Sequence, residues 1–293
     1  MNVKDGMIAF KGFQTYYRIA NPEGKKTPLL MLHGGPGSTH NYFKLFDALA
    51  EADDRPIVMY DQIGCGKSMV KGHPELFNAQ TWLDELETIR AELKLSEVHI
   101  LGQSWGGMLN IYYALERDPK GVKSYILSST LHSAKLWAEE QARYIKLMPA
   151  EMQEAIAEAV ANEDYSNPDY LKAVDEFMLR HCAPKITDDM PACLREEKLR
   201  GVEAYEVAWG PNEFTPKGNL KDYDFTDRIH EIDRPTLIMS GQMDMSTPFI
   251  AKSMHDSIRN SEWELFQHSR HVPYIEETEK YMRVLKEWLN RND

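Results

Sequence analysis

The sequence has little cysteine and no long apolar run. Cysteine occurs three times in 293 residues, an odd number without a CxxC pair, so we expect reduced thiols rather than disulfides or a structural zinc site. No apolar stretch reaches the roughly 18 residues of a transmembrane helix, and the N-terminus lacks the features of a signal peptide. We therefore expect a cytoplasmic protein with no membrane partner, no metal and no cofactor.

Positive charge is also scarce. The chain has 34 Lys and Arg against 46 Asp and Glu, for a formal net charge of -12. A surface of this sign repels a phosphate backbone, which disfavours nucleic acid as a partner and mildly favours cationic ligands. The length allows one large domain or a domain with an insertion, and we expect a monomer or a small homo-oligomer.

Short apolar runs, each bounded by turn-forming residues, alternate with helical patterns over much of the chain. The runs that predict strands are 13–20, 28–35, 55–62, 97–104, 122–129, 234–241 and 262–268. Several have no polar alternation, which is typical of a mostly parallel sheet with helices on both faces. The alternation predicts an α/β fold. The helix before the run at 97–104 is expected to begin with a capping box of Thr81 and Asp84.

The pattern changes between residues 132 and 222. Helical periodicity rich in Glu and Met continues there, with breaks at Pro149 and near Pro168 and no strand candidate. The simplest organisation is a sheet core made of residues 1–131 and 223–293, with residues 132–222 inserted as a helical cap.

The pentapeptide GQSWG fits the pattern G-x-S-x-G and stands between an apolar run and a helical one. A sharp turn from strand to helix lifts the Ser104 hydroxyl off the end of a sheet, and small residues at 102 and 106 let strand and helix pass closely. An ordinary serine in a glycine-rich turn is the alternative. Because strand, turn and helix follow in this order, the pattern favours a nucleophile.

A serine nucleophile needs a histidine base that is held by a carboxylate. In this kind of fold the acid follows a later strand and the base lies nearer the C-terminus. Asp244 is the candidate acid, since it comes just past the run 234–241; a turn residue or helix cap is the alternative. His271 is the preferred base because it lies in a loop, whereas His268 is expected to pack at the end of a strand.

Two glycine-rich turns follow other strands. In the first, HGGPG, the backbone N–H of Gly35 is expected to form an oxyanion hole with that of Trp105; an inert turn is the alternative. The second, DQIGCGKS at 61–68, lacks the spacing of a phosphate loop. Asp61 and Gln62 are therefore expected to support the site from behind.

Together the motifs HGGPG, DQIGCGKS, GQSWGG, GPNEF and SRHVPYIEE resemble the proline iminopeptidase family of α/β-hydrolases, especially the branch that includes the archaeal tricorn-interacting aminopeptidase. The resemblance spans most of the chain. It implies an α/β-hydrolase fold with a helical cap, and the release of an N-terminal residue, often proline, from peptides. It also implies that Ser104, Asp244 and His271 form a catalytic triad, with Gly35 and Trp105 as the oxyanion hole.

In the same resemblance, Glu213 of GPNEF matches the acid that holds the substrate's amino group. A buried carboxylate binds an ammonium by a charge-assisted hydrogen bond, and an acylated chain would leave that carboxylate unpaired. Gly34 and Tyr205 are expected to be further substrate contacts. The substrate's first side chain is expected near Trp105 and near cap aromatics such as Tyr205, Trp209 or Phe214.

Met245 follows the candidate acid, where the resembled branch often carries a second acid. Glu203 or Glu206 of the cap is the expected replacement. The predicted function is a serine aminopeptidase that releases an N-terminal residue, preferably proline, from small peptides or amino-acid amides with a free N-terminus. An amino-acid amide hydrolase or a carboxylesterase with the same triad is the alternative, and a non-catalytic ligand-binding member of the fold is a third.

Overall fold

The structure is a computed structural model, and it describes residues 2–293. Eight strands form one sheet: β1 Val3–Phe10, β2 Phe13–Ala20, β3 Leu29–Leu32, β4 Ile57–Tyr60, β5 Val98–Gln103, β6 Val122–Ser128, β7 Thr236–Gly241 and β8 Ser261–Phe266. Their spatial order is β1-β2-β4-β3-β5-β6-β7-β8. β1 pairs antiparallel with β2, and β2 pairs antiparallel with β4. All the other neighbours are parallel, so the predicted mostly parallel sheet is confirmed.

β1 has no counterpart among the predicted strands. It is an edge strand whose first residues are exposed, so it carries charged residues and Gly6 instead of a continuous apolar run. A turn at Lys11 and Gly12, both with positive φ, connects it to β2. Pairing with β2 along its full length holds it in the sheet.

Eleven α-helices accompany the sheet in the described residues: α1 Asp47–Ala52, α2 Ala79–Glu92, α3 Trp105–Arg117, α4 Ala134–Ile145, α5 Ala150–Asn162, α6 Pro168–His181, α7 Ala192–Arg195, α8 Val202–Ala208, α9 Pro248–Ser257, α10 Pro273–Glu276 and α11 Thr278–Arg291. Short 3-10 helices occupy His40–Phe46, Gly66–Ser68, Pro74–Leu76 and Ile229–Glu231. Within residues 2–293, no helix combines the length and apolarity that crossing a bilayer requires.

The predicted capping box at the start of α2 is wrong. The helix begins earlier, at Ala79, and its N-cap is Asn78, whose side chain accepts a hydrogen bond from the Thr81 N–H at 3.0 Å. Asparagine in an extended conformation satisfies a free N–H of the first turn as well as a capping box does. Asp84 instead forms ion pairs with Lys11 and Arg117.

Helices cover both faces of the sheet. Alternate residues of β3 show this: Leu30 and Leu32 belong to an apolar layer shared with α2, α3 and α9, whereas Leu29 and Met31 belong to a second layer shared with α1 and α11. Because successive side chains of a strand point to opposite faces, two apolar layers require a sheet that is buried on both sides. The expected α/β-hydrolase architecture is therefore confirmed.

The helices α4–α8 lie between β6 and β7 in the chain, within the segment predicted to be a cap. Main-chain bonds connect the end of α6 to the core: the His271 N–H donates to the Cys182 carbonyl, and the Met245 N–H donates to the His181 carbonyl, both at 3.0 Å. These bonds hold the helical segment against loops that follow β7 and β8. The boundaries at 131/132 and 222/223 stay a prediction.

Candidate active site

Ser104 occupies the turn between β5 and α3. Its φ of 54° and ψ of -121° form a conformation that non-glycine residues rarely adopt. A Cβ at Gly102 or Gly106 would collide with backbone atoms, so both positions require glycine. The Ser104 N–H donates to the Ser128 carbonyl at 3.0 Å, and the Thr130 hydroxyl donates to the Ser104 carbonyl at 2.7 Å. Neighbouring backbone thus holds the strained turn in place.

Asp244 and His271 meet at the carboxyl edge of the sheet. His271 Nδ1 lies 2.6 Å from Asp244 Oδ1; the aspartate is 0% exposed and the histidine 6%. Asp244 Oδ1 also accepts the Ser246 N–H at 2.7 Å, so the residue supports a turn as well as the histidine. A carboxylate only accepts hydrogen bonds, so the proton is on Nδ1 and leaves Nε2 as the basic nitrogen.

The structure separates the two candidate histidines. β8 ends at Phe266, and His268 lies beyond it with an exposed side chain, its backbone N–H donating to Glu277 at 3.0 Å. The expectation that His268 packs at the strand end is wrong, because the chain has already turned towards solvent at that point. His271 is buried under the helical segment and contacts Asp244.

Ser104 and His271 line one cavity of about 470 Å³. Gly34 and Gly35 border it on the core side, and Tyr205 of α8 borders it on the helical side. Ligand sites span roughly 300–1,000 Å³, so this volume suits a small molecule or a short peptide. Among residues 2–293, no group of three or more His, Cys, Asp or Glu side chains is arranged to hold a metal ion.

The HGGPG loop presents Gly35 to the cavity with a φ of +118°. The neighbouring Gly34 N–H is already engaged, since it donates to the Tyr42 hydroxyl at 2.8 Å. Trp105 begins α3, and its buried indole donates to Gln62 at 2.7 Å and does not line the cavity. The expectation that the indole packs near the substrate's first side chain is therefore wrong. Gly35 and Trp105 therefore remain the proposed donors for an oxyanion, while Gly34 can contribute only to the wall.

A buried histidine couples the two glycine-rich loops. Burial lowers the pKa of His33 to about 4, so its ring is neutral at pH 7. Its Nδ1 lies 2.9 Å from the Gly34 carbonyl, and its Nε2 accepts the Gln62 N–H at 3.0 Å. Asp61 accepts hydrogen bonds from the backbone and ring of His40 at 2.8 Å. These contacts agree with the supporting role expected of Asp61 and Gln62.

Glu213 brings a carboxylate into the cavity, where its side chain is half-buried. Burial raises its pKa, and the Tyr205 hydroxyl, which donates to the carboxylate, opposes that shift together with Coulomb interactions with His271, in its protonated form, and with Arg200. The Trp137 indole donates to the Glu213 carbonyl at 2.7 Å and fixes its backbone. A carboxylate held in this way can pair with an ammonium group.

Two of the expected cap aromatics lie outside the cavity. Trp209 is buried against Trp137, with ring centroids 6.0 Å apart, and Phe214 packs edge-on against Phe177 at 4.7 Å. The expectation that they contact substrate is wrong, because both rings fill the core of the helical segment. Tyr205 does line the cavity.

Of the two acids expected to replace the missing one, Glu206 lines the cavity and Glu203 does not. Glu206 lines the cavity, whereas Glu203 accepts the Gly72 N–H at 2.9 Å and lies outside it. Met245 also lines the cavity, and its carbonyl accepts a hydrogen bond from Gln141 of α4 at 2.8 Å. A thioether therefore borders the site beside Asp244.

Several residues that line the cavity were not predicted from the sequence. These are Tyr42, Gln103, Cys182, Lys198 and Arg200, among others. Gln103 is the variable second position of GQSWG, and the others belong to no motif with a known spacing. The only signal in the sequence is the pair of cations in the irregular segment before α8. Burial raises the pKa of the Cys182 thiol to about 12, so it stays protonated and is a poor nucleophile.

Comparisons with known proteins agree with this geometry. Residues 27–278 match the family model for the alpha/beta hydrolase fold. The chain is 58% identical over 295 residues to the proline iminopeptidase of Clostridioides difficile (strain 630), with both chains fully covered. Two solved structures superpose over nearly the whole chain. VinJ does so with a TM-score of 0.89, 30% identity and 99% of each chain covered. The proline iminopeptidase of Mycobacterium smegmatis superposes with a TM-score of 0.87 and 29% identity, with 99% of this chain and 98% of that chain covered. The chain belongs to the proline iminopeptidase family of α/β-hydrolases.

Proposed function

We propose that the chain is a serine aminopeptidase that releases an N-terminal residue, preferably proline, from short peptides. The observation that carries the proposal is the Glu213 carboxylate in the same cavity as Ser104 and His271. An enzyme that cuts only beside a free N-terminus must recognise an ammonium, and a hydrogen-bonded carboxylate does so. The name of the C. difficile relative supports the same activity. The proposed substrates are short cytoplasmic peptides or amino-acid amides with a free N-terminus.

In the proposed acylation step, the ammonium of the substrate pairs with Glu213. Ser104 then attacks the first carbonyl carbon while His271 takes the hydroxyl proton. The N–H groups of Gly35 and Trp105 stabilise the oxyanion that forms. Asp244 holds the imidazole in its working tautomer, as the 2.6 Å contact supports.

The second half of the reaction reverses these proton movements. His271 donates its proton to the departing amine, which leaves as the shortened peptide. It then takes a proton from the water that attacks the acyl-enzyme, and returns that proton to the Ser104 oxygen as the acyl–oxygen bond breaks and the free amino acid leaves. Glu213 holds the ammonium through both steps.

Two features of the cavity support a preference for proline. The Tyr205 hydroxyl donates to the Glu213 carboxylate, and the Tyr205 side chain lines the cavity beside it. Met245, buried beside Asp244, supplies an apolar contact on which a pyrrolidine ring can pack. A larger or charged first side chain would lose this contact or bury a charge there.

A carboxylesterase or an amide hydrolase of acylated substrates is the second candidate, because the triad by itself serves either chemistry. Such an enzyme has no use for a half-buried carboxylate beside the nucleophile. The Glu213 site therefore disfavours this alternative. A non-catalytic member of the fold would leave Ser104 unreactive towards a fluorophosphonate.

The decisive measurement is the hydrolysis of a prolyl chromogenic anilide beside its N-acetylated counterpart by the purified protein near neutral pH. We expect cleavage of the free-amine compound alone, since acetylation removes the ammonium and leaves Glu213 unpaired. Preference for the acetylated compound would instead favour a carboxylesterase or an amide hydrolase of acylated substrates. Cleavage of neither compound, without labelling by a fluorophosphonate, would favour a non-catalytic role.

A further inference from the structure

Two cations line the cavity without an acidic partner. Lys198 and Arg200 both border it, and neither forms an ion pair with a carboxylate of residues 2–293. The Lys198 ammonium lies 5.9 Å from the ring centroid of Tyr42. An anionic group in the cavity would find both charges available.

The backbone that carries these cations is anchored. The Gly201 N–H donates to the Gly37 carbonyl, and the Gly66 N–H donates to the Leu199 carbonyl, both at 2.8 Å. A Cβ at Gly37 would collide with the Gly201 backbone, so the two segments are in close contact. The segment 198–201 is thus held between the two glycine-rich loops, and its side chains extend from a fixed position beside the site.

Among residues 2–293, no ion pair joins the positive and negative groups that line the cavity. Glu213 is hydrogen-bonded by Tyr205, and Arg200 lowers its pKa only through a longer-range Coulomb interaction. In a partly desolvated cavity, opposite charges attract strongly unless the fold keeps them apart. Glu206 also lines the cavity, so the lining carries two carboxylates and two cations. A lining of mixed charge is complementary to a zwitterion.

A short peptide is such a zwitterion. If Glu213 holds the ammonium of a peptide that begins with proline, every carboxylate of that peptide belongs to the part that leaves after Ser104 attacks the first carbonyl carbon. An extended chain advances about 3.3–3.6 Å per residue, so the C-terminal carboxylate of a di- or tripeptide stays within roughly 7–11 Å of its N-terminus. That length is compatible with a cavity of about 470 Å³.

We propose that Lys198 and Arg200 bind the C-terminal carboxylate of the substrate, so that the enzyme distinguishes a short peptide acid from its C-terminal amide. The proposal rests on the aminopeptidase function proposed above. Arginine suits a carboxylate by its forked donors, and lysine adds a point charge. An acidic side chain at the second position of the peptide offers the same chemistry, so the test must separate the two sources.

The test compares kcat/KM for Pro-Gly-Gly and its C-terminal amide, using the wild-type protein and the double variant Lys198→Gln/Arg200→Gln. We expect the wild type to prefer the free acid by about tenfold and the double variant to prefer it by less than about twofold. Intrinsic differences in leaving-group reactivity cancel when the two ratios are compared. The control Lys25→Gln/Arg259→Gln removes the same net charge from exposed positions outside the cavity, and it should keep the wild-type ratio.

Pro-Asp-Gly amide and Pro-Asn-Gly amide identify the source of the carboxylate. We expect little difference between them. A preference for the Asp compound without one for free Pro-Gly-Gly would overturn the assignment to the C-terminus. A wild-type ratio near one, or a ratio that the double variant does not change, would overturn the subsite altogether.

Two further measurements keep these outcomes distinct. If the wild-type protein does not hydrolyse the prolyl anilide, the proposed aminopeptidase function is wrong. If it hydrolyses the anilide but does not prefer the peptide acid to its amide, only the proposed subsite is wrong. Raising the ionic strength should reduce the wild-type preference, since partly exposed charges are screened over about 8–10 Å at physiological salt. The ionic-strength measurement uses only the wild-type protein, so it still tests the carboxylate subsite if the double variant does not fold.

Discussion

The carboxyl edge of the sheet and the helical segment above it contribute to one cavity by different means. At the sheet edge, Ser104 and Gly35 are held by their own backbone conformations, with φ of 54° and 118°. In the helical segment, Glu213 is held by side chains distant in the chain, such as Trp137. The position of the reacting groups therefore depends on local backbone geometry, whereas the position of the recognition groups depends on packing between elements.

The largest expected effect concerns the nucleophile. Ser104→Ala should lower kcat for the prolyl anilide by about four orders of magnitude or more, because no other side chain can replace the hydroxyl. Cys182 cannot, since its thiol is protonated at neutral pH. Thermal unfolding should change little. Cys182→Ala is the matched control and should retain activity; a loss of less than tenfold in Ser104→Ala would refute the assignment of the nucleophile.

The next effect tests the backbone of the sheet edge. Gly106→Ala would bring a Cβ against the Leu32 carbonyl, which belongs to the buried strand β3. Since backbone cannot move aside cheaply, we expect a loss of about 3 kcal/mol or more in the free energy of unfolding, measured in urea. Gly72→Ala, at a φ of +72° with no neighbouring atom, should cost only about 1 kcal/mol. Equal losses in the two variants would contradict the close-packing argument.

The third effect tests recognition. Glu213→Gln should raise KM for the prolyl anilide by roughly 100-fold, because the ammonium loses a charged partner. Hydrolysis of a simple acetate ester should change by less than about twofold. Glu203→Gln is the matched control, since that side chain lies outside the cavity. Equal losses on both substrates would give Glu213 a structural role instead.

The same variant carries a pH signature. Burial raises the pKa of Glu213, so its charge is present above that pKa and is lost as the pH falls through it. KM of the wild type should therefore begin to rise at a higher pH than for an ordinary carboxyl group. Glu213→Gln should lack this component of the profile.

The sequence predicted the sheet edge better than the helical segment. The turn at Ser104 and the loop at Gly35 were predictable because glycine spacing and strand position constrain them locally. The contact between Asp244 and His271 followed from the order in which such groups occur along the chain. The wrong expectations about the site concern burial: His268 proved exposed, and Trp209 proved to be part of the core.

By itself, the sequence determined the α/β alternation, the strained turn at Ser104 and the glycine-rich loops, because each depends on the conformational freedom of a few adjacent residues. The resemblance indicated Glu213, but only the tertiary structure decided that Lys198 and Arg200 share its cavity. Glu213, Lys198 and Arg200 lie in irregular segments without a periodic pattern. Their positions depend on backbone and indole hydrogen bonds between residues far apart in the chain, and no local propensity encodes such contacts.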